Sequence, residues 1–276
     1  MAGRNPIGEE IVHFSFSQRK RRAEQLLAQE GCAAADLLRF YIRICEFQQR
    51  VYQSTDLSHL NPPVQTPDQL MSADCDDILI PLLFDLFAIV RQNGPPQLAQ
   101  RADSLARADR SQLHELTRKF CSGEQAVADM DRFFTLAAFQ PILEKLAEAQ
   151  PARRRSDGGT CPFCGSEALL SVLRPEGLGR RRSLLCSLCS TEWDFPRLRC
   201  ASCGEERHQQ LNVFTAEQFE HVRVEACETC KIYLKSIDLA SHGLAVPQVD
   251  EIATLSLDLW AREKGYTKLH PNLLGE

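Results

Sequence analysis

The chain has 276 residues, is 43% apolar and carries a net charge of −5 at neutral pH. This composition is typical of globular proteins and excludes a chain that is disordered throughout. The net negative charge also argues against a protein whose main partner is nucleic acid, because such binding needs a basic excess.

The start of the chain contains acidic side chains and lacks the apolar segment of an export signal. The longest apolar run, residues 78–90, is interrupted by Pro81 and Asp85. It is also too short to cross a bilayer, which takes about 20 residues. We therefore expect a cytoplasmic protein without membrane insertion, in which cysteine thiols stay reduced.

Residues 1–150 are predicted to form a helical domain, because their apolar residues recur every three or four positions. Ser17 is the predicted N-cap of the first helix, and a proline-rich loop is predicted at residues 61–67. Pro81 is expected in the first turn of the third helix, and Pro141 is expected to kink or split the last. The predicted helices cover residues 19–29, 33–52, 77–91, 97–108, 111–120 and 124–149.

Short strands and turns are predicted after residue 150, so the predicted fold class is α+β. Strands are predicted at residues 169–173, 182–185, 210–214, 222–225 and 231–239. A final amphipathic helix is predicted over residues 248–264, with Gly265 as its C-cap. The predicted divisions are a linker at 151–159, a first four-cysteine module at 160–197, a second at 198–240, and a C-terminal helix and tail at 241–276.

Eight of the twelve cysteines form four Cys-x-x-Cys pairs. These pairs are Cys161/Cys164, Cys186/Cys189, Cys200/Cys203 and Cys227/Cys230. The first and third pairs begin two copies of a repeat, and each copy closes with a second pair after a gap of 21 or 23 residues. This spacing is typical of zinc ribbons and predicts two sites, each with four thiolates around one zinc or iron ion.

A crossed arrangement, in which Cys161/Cys164 join Cys200/Cys203, stays open, although the repeat favours sequential pairing. A closed four-cysteine site leaves no position for a substrate, so we expect structural metals and no catalytic residue. Dithiol redox chemistry is disfavoured, because it normally uses one pair at a helix N-terminus. The turn after each second cysteine suits glycine, which Gly165 and Gly204 supply but Ser190 and Lys231 do not.

The remaining cysteines and the histidines give no further ligand pattern. Cys45 is predicted to be a small core side chain, and His208 a surface residue despite its nearness to Cys203. The other isolated cysteines are Cys32, Cys75 and Cys121.

The segments CPFCGS, LLCSLCSTEWDFPRLRCASCG and VEACETCKIYLKSIDL resemble the formate dehydrogenase accessory protein family FdhE. The resemblance continues through residues 250–258 and 263–266 and is loose between about residues 61 and 150. It implies tandem rubredoxin-like or zinc-ribbon modules that are able to hold iron. It also implies a non-enzymatic cytoplasmic protein that binds the catalytic subunit of formate dehydrogenase and is needed to form the active enzyme.

Two other classes of function stay open. One is a zinc-ribbon protein that binds nucleic acid, which the basic clusters at residues 153–155 and 180–182 would favour. The other is a rubredoxin-like electron-transfer protein, which requires iron at an accessible potential.

Overall fold

The structure, a computed structural model, describes residues 14–29, 31–56, 73–121, 129–149 and 158–275. Its N-terminal part is helical, as the spacing of apolar residues predicts. The helices are α1 (Phe16–Leu27), α2 (Ala35–Ser54), α3 (Ala73–Asn93), α4 (Pro96–Leu105), α5 (Arg110–Cys121) and α6 (Asp129–Ala149). The predicted loop at 61–67, most of the predicted linker and the start of the predicted helix at 124–149 lie outside the described residues.

Helix α1 begins earlier than predicted, because its N-cap is Ser15 and not Ser17. The Ser15 hydroxyl accepts a hydrogen bond from the backbone N–H of Gln18. The Gln18 side chain in turn accepts one from the backbone N–H of Ser15. This reciprocal capping box satisfies two N–H groups that the helix leaves free.

Both internal prolines lie inside continuous helices. Helix α3 begins at Ala73, so the prediction that Pro81 lies in the first turn is wrong. Pro141 does not split α6, which runs unbroken from Asp129 to Ala149. Proline in a helix interior costs about 3 kcal/mol. Burial of side chains such as Phe134 and Leu143 on α6 offsets that cost.

The C-terminal part contains one mixed β-sheet with the strand order β3-β2-β1-β6-β5-β4, and β7 pairs with β6. The strands are β1 (Ala168–Glu176), β2 (Gly179–Cys186), β3 (Glu192–Asp194), β4 (Leu211–Thr215), β5 (Val222–Cys227), β6 (Ile232–Asp238) and β7 (Thr267–Lys268). Strands β1 and β6 run parallel, from Leu170 opposite Lys235 to Leu173 opposite Asp238. The two copies of the cysteine repeat therefore share one sheet, and the division of the chain at residue 198 stays a prediction.

The predicted C-terminal helix is two helices, α7 (Pro247–Ala253) and α8 (Leu255–Glu263), so the prediction of one continuous helix is wrong. They separate at Thr254, whose hydroxyl bonds to the carbonyl of Asp250. The carbonyl of Glu251 accepts a hydrogen bond from the Lys235 ammonium. The Lys235 side chain, on a distant strand, thus occupies a carbonyl that a continuous helix would pair with its own backbone.

Two apolar cores hold the molecule together. One lies between the sheet and α8, and includes Val172, Val224 and Ile237. The larger core begins among the helices and continues into the first cysteine module, where it includes Leu184 and Trp193. Within the described ranges, no helix combines the length with the apolar character that a membrane crossing requires.

Candidate metal centres

The cysteines of the first repeat copy lie together as one cluster, which we call the first cluster. The sulfur of Cys161 lies 3.6 Å from that of Cys189, and the sulfur of Cys164 lies 3.3 Å from that of Cys186. All four sulfurs lie within 4.8 Å of one another. The two pairs of the copy therefore converge on one point.

The cysteines of the second copy form an equivalent second cluster. The sulfurs of Cys200 and Cys230 are 3.8 Å apart, and those of Cys203 and Cys227 are 3.7 Å apart. All four again lie within 4.8 Å of one another. The structure thus groups the cysteines sequentially, and the crossed arrangement is wrong.

Both clusters have the geometry and the donor set of a tetrahedral metal site. Four sulfurs at 2.3 Å from a central ion would be separated from one another by about 3.8 Å. Backbone N–H groups also point at the sulfurs, such as Leu188 N–H at 3.3 Å from the sulfur of Cys186. Such a set suits zinc or a single iron, and ligation by these eight cysteines stays a prediction.

Each Cys-x-x-Cys pair closes a tight turn, and the residue after each second cysteine adopts a positive φ. The angle is 75° at Gly165 and Gly204, 54° at Ser190 and 60° at Lys231. Among the described residues, these last two are the non-glycine residues with positive φ. The turn therefore forms even where the side chain disfavours it, at a cost of about 1–2 kcal/mol each.

The first cluster is buried beneath the helical part. Cys161, Cys186 and Cys189 are at most 3% exposed and belong to the larger apolar core. Burial raises the pKa of the Cys186 and Cys189 thiols well above the usual value, because a low-dielectric surrounding disfavours the thiolate. A cation bound among these sulfurs would supply the charge that stabilises their ionised form.

Polar contacts also tie the first cluster to α6. The Ser190 hydroxyl donates to the Glu144 carboxylate at 2.7 Å. Glu144 accepts two hydrogen bonds of 2.9 Å from the guanidinium of Arg19 on α1. Gln140 on α6 donates to the Ser187 carbonyl within the second cysteine pair of this cluster. The helices thus hold the turn that carries Cys186 and Cys189.

The second cluster lies at the surface. Cys203 is exposed, and none of its four cysteines belongs to either apolar core among the described residues. Its polar contacts reach β2 and the C-terminal residues, because Arg182 donates to the Arg199 carbonyl and Tyr266 donates to Glu228.

Comparison with known proteins places these clusters in a family. The model of the FdhE central domain matches residues 160–197, and that of the FdhE C-terminal domain matches residues 198–274. A protein FdhE homolog of Stutzerimonas stutzeri is 30% identical over 94% of this chain and 88% of its own length. The chain belongs to the FdhE family. A second FdhE homolog, from Aquifex aeolicus, is 34% identical over 70% of this chain and 68% of its own length.

A solved FdhE structure has the same fold. The crystal structure of the FdhE protein from Pseudomonas aeruginosa superimposes with a TM-score of 0.79 at 25% sequence identity. The match covers 96% of this chain and 97% of that one. The family resemblance expected from the cysteine segments is therefore confirmed, as is the α+β fold class.

Cys45 and His208, the isolated cysteine and the histidine singled out from the sequence of this FdhE-family chain, lie outside both clusters. Cys45 is 1% exposed in the helical core, where burial raises the pKa of its thiol to about 12. His208 is exposed, so the predictions for both residues are confirmed. The side chains of Cys75 and Cys121 lie outside the part of the chain that is described.

The sequence did not reveal a buried ionic cluster that joins the sheet to the C-terminal helices. Lys235 on β6 is fully buried, and its ammonium lies 2.6 Å from Asp258 and 3.0 Å from Glu251. Lys268 on β7 also pairs with both carboxylates. Burial opposes ionisation of Glu251, but the two lysines outweigh it and lower its pKa to about 2. The signal in the sequence that could have revealed this cluster is Lys235, a charged residue in the middle of a buried strand.

Proposed function

We propose that this chain is a cytoplasmic accessory protein that binds the catalytic subunit of formate dehydrogenase and supports formation of the active enzyme. It does not itself oxidise formate in this proposal. Its eight paired cysteines hold two structural metal ions, iron or zinc. Membership of the FdhE family is the observation that carries the proposal, because the chain shares fold and sequence with relatives over most of their length.

The geometry of the clusters supports an accessory role. Each set of four sulfurs surrounds its centre and leaves no coordination position open for a substrate. A metal ion at the first cluster would hold together the cysteine turns against which the helices pack. It would therefore stabilise the folded state.

The charge distribution supports a protein partner over nucleic acid. The arginines of the basic cluster at residues 180–182 all form ion pairs, with Asp238, Asp194 and Glu225 in chain order. Their charges are thus balanced within the shared sheet and do not form a free basic surface.

The proposal is tested by affinity capture and complementation. The full chain is produced in a host that lacks its own FdhE, together with the formate dehydrogenase catalytic subunit. We expect the chain to capture the subunit and to restore formate dehydrogenase activity. Purified alone, the chain should neither oxidise formate nor bind DNA or RNA at low salt.

A cysteine variant connects the metal to this function. Cys164→Ser should remove one metal ion per chain and abolish complementation. Cys32→Ser is the matched control, because Cys32 is also half-buried but lies outside both clusters. Full activity of Cys164→Ser with one metal lost would contradict the proposed role of the first cluster.

A rubredoxin-like electron-transfer protein is the second candidate, favoured by the exposure of Cys203 at the second cluster. An iron centre close to solvent can exchange electrons with a partner that docks on it. This candidate requires bound iron with a reversible redox signal. Zinc alone in protein purified under reducing, metal-balanced conditions would exclude it.

A further inference from the structure

A concave pocket lies beside the second cluster, on the face of the sheet opposite α8. Strands β4, β5 and β6 form its floor with Leu211, Val213, Glu225, Ile232 and Leu234. The segment at residues 197–202, which leads into the cluster, forms its wall. Its cavity volume is about 80 Å³.

Two exposed apolar side chains border this pocket. Leu198 on the wall is 63% exposed and Val213 on β4 is 56% exposed. Together with the apolar floor they form one patch, whereas the other exposed large apolar side chains of the described residues do not line this pocket. A contiguous apolar patch of this kind is typical of an interaction site.

The pocket adjoins a free sheet edge. Strand β4 is the last strand of the sheet and pairs only with β5 among the described residues. The backbone groups on its other side can therefore pair with an added strand. Extended peptides bind to such edges through main-chain hydrogen bonds and place alternate side chains in neighbouring pockets.

Among the described residues, Arg197 gives this pocket an unpaired positive charge at its rim, whereas the charge of Arg182 is balanced by Glu225. Arg182 lines it and is 4% exposed. Its two terminal nitrogens bond to Glu225 and to backbone carbonyls, while its buried Nε has no partner. Arg197 on the rim is exposed and forms no ion pair within the described ranges. An occupant that carries a carboxylate would therefore find a complementary charge here.

We propose that this groove, made of β4 and residues 197–202, docks an extended segment of the formate dehydrogenase catalytic subunit. The segment pairs with β4, places an aliphatic side chain between Leu198 and Val213, and points an acidic side chain at Arg197. The inference rests on the proposed function and names the surface and the peptide chemistry through which that function acts.

Capture of the catalytic subunit by surface variants of the full chain tests the groove. Leu198→Asp and Val213→Asp place a charge on the apolar patch, and each should weaken capture at least tenfold. Leu178→Asp is the matched control, because Leu178 is exposed in the turn between β1 and β2 of the same sheet. Each variant should keep the metal content and the melting temperature of the wild type. Leu198 is in a loop, so its variant stays informative if Val213→Asp does not fold.

The charge is tested separately. Arg197→Glu should weaken capture by several-fold, whereas Arg21→Glu, which reverses an exposed arginine on α1, should leave it unchanged. A photoreactive benzoylphenylalanine at position 213 should cross-link to one segment of the subunit that contains aliphatic and acidic residues. The same group at position 178 should give no such product.

The outcomes separate the surface from the function. Capture by the wild type and equally by all variants would overturn the groove while the proposed function stands. No capture by the wild type would overturn both. A chain that dimerises alone, and is made monomeric by Val213→Asp, would show that the occupant is a second copy of the chain and would overturn the partner assigned here.

Discussion

The two four-cysteine clusters have nearly the same local structure but opposite surroundings. Each consists of two tight turns with a positive φ after the second cysteine. The first cluster lies within the core that the helices build, whereas the second exposes Cys203, and its cysteines belong to neither apolar core of the described residues. A repeated local motif therefore fixes how an ion is held, but tertiary packing decides what depends on that ion.

This comparison predicts unequal roles for the two metals. Loss of the first would leave buried thiols and a loosened turn under α6, so the whole chain should respond. Loss of the second should disturb the surface module and leave the main core intact. The following substitutions test that difference.

The largest effect is expected from the cysteines themselves. Cys189→Ser should abolish the cooperative unfolding transition of the whole chain, because metal binding at such sites contributes on the order of 10 kcal/mol to folding. Cys203→Ser should remove one metal ion but keep the helical content and a cooperative transition. Metal analysis and circular dichroism on both variants provide the measurement. A wild-type melting temperature for Cys189→Ser would show that the first cluster is not integral to the fold.

The buried contact between helices and cluster should have the next largest effect. Glu144→Ala leaves the buried guanidinium of Arg19 unpaired and should cost about 3–5 kcal/mol of unfolding free energy. Glu46→Ala removes partly exposed ion pairs with Lys20 and Arg43 and should cost less than about 1 kcal/mol. Urea unfolding of both variants measures the contrast. Equal costs would mean that the helices do not stabilise the first cluster through Glu144.

Lowering the pH should reduce the free energy of unfolding through His270, a buried residue that contacts α6. Its Nδ1–H bonds to the Pro271 carbonyl, and Arg132 on α6 bonds to its Nε2, so the folded chain holds a neutral ring. Burial, with the Arg132 charge, lowers its pKa to about 4. The unfolded value is about 6.5, so this stability is present above pH 6.5 and is lost as the pH falls towards 4.

The expected loss from His270 is about 2 kcal/mol between pH 7 and pH 5. His270→Gln should be less sensitive to acid than the wild type by that amount, measured by urea unfolding at both pH values. His208→Gln, which changes an exposed histidine, should retain the acid sensitivity of the wild type. An identical pH dependence for all three proteins would exclude His270 as a source of acid lability.

Much of the metal-site geometry could be predicted from the sequence, because its causes are local. The spacing of Cys161, Cys164, Cys186 and Cys189 determines which thiols can meet, and the repeat predicts the second cluster in the same way. The five predicted strands around the cysteines all form. Their apolar runs lie between turns that the cysteine pairs themselves create.

The features that the sequence did not predict depend on distant contacts. Helices α7 and α8 separate at Thr254 because Lys235, on a strand, bonds to the Glu251 carbonyl. Pro141 is tolerated in α6 because that helix is buried. The unequal burial of the two clusters was also not predictable, since the spacing within each copy carries no information about which copy faces the helices.

The position after the second cysteine gives the smallest but most direct comparison. Ser190 in the first cluster and Lys231 in the second share a positive φ that glycine adopts without strain. Ser190→Gly would relieve strain but remove the hydrogen bond to buried Glu144, so the net cost should be about 1–2 kcal/mol.

Lys231→Gly relieves the same backbone strain and loses a surface ion pair with Glu228. These terms oppose each other, so the unfolding free energy should change by less than about 1 kcal/mol. Urea unfolding of both glycine variants measures the difference. Equal changes in unfolding free energy for the two variants would mean that the Ser190 hydroxyl does not stabilise the first cluster. The asymmetry between the clusters would then rest on apolar packing and on the hydrogen bond from Gln140 to the Ser187 carbonyl.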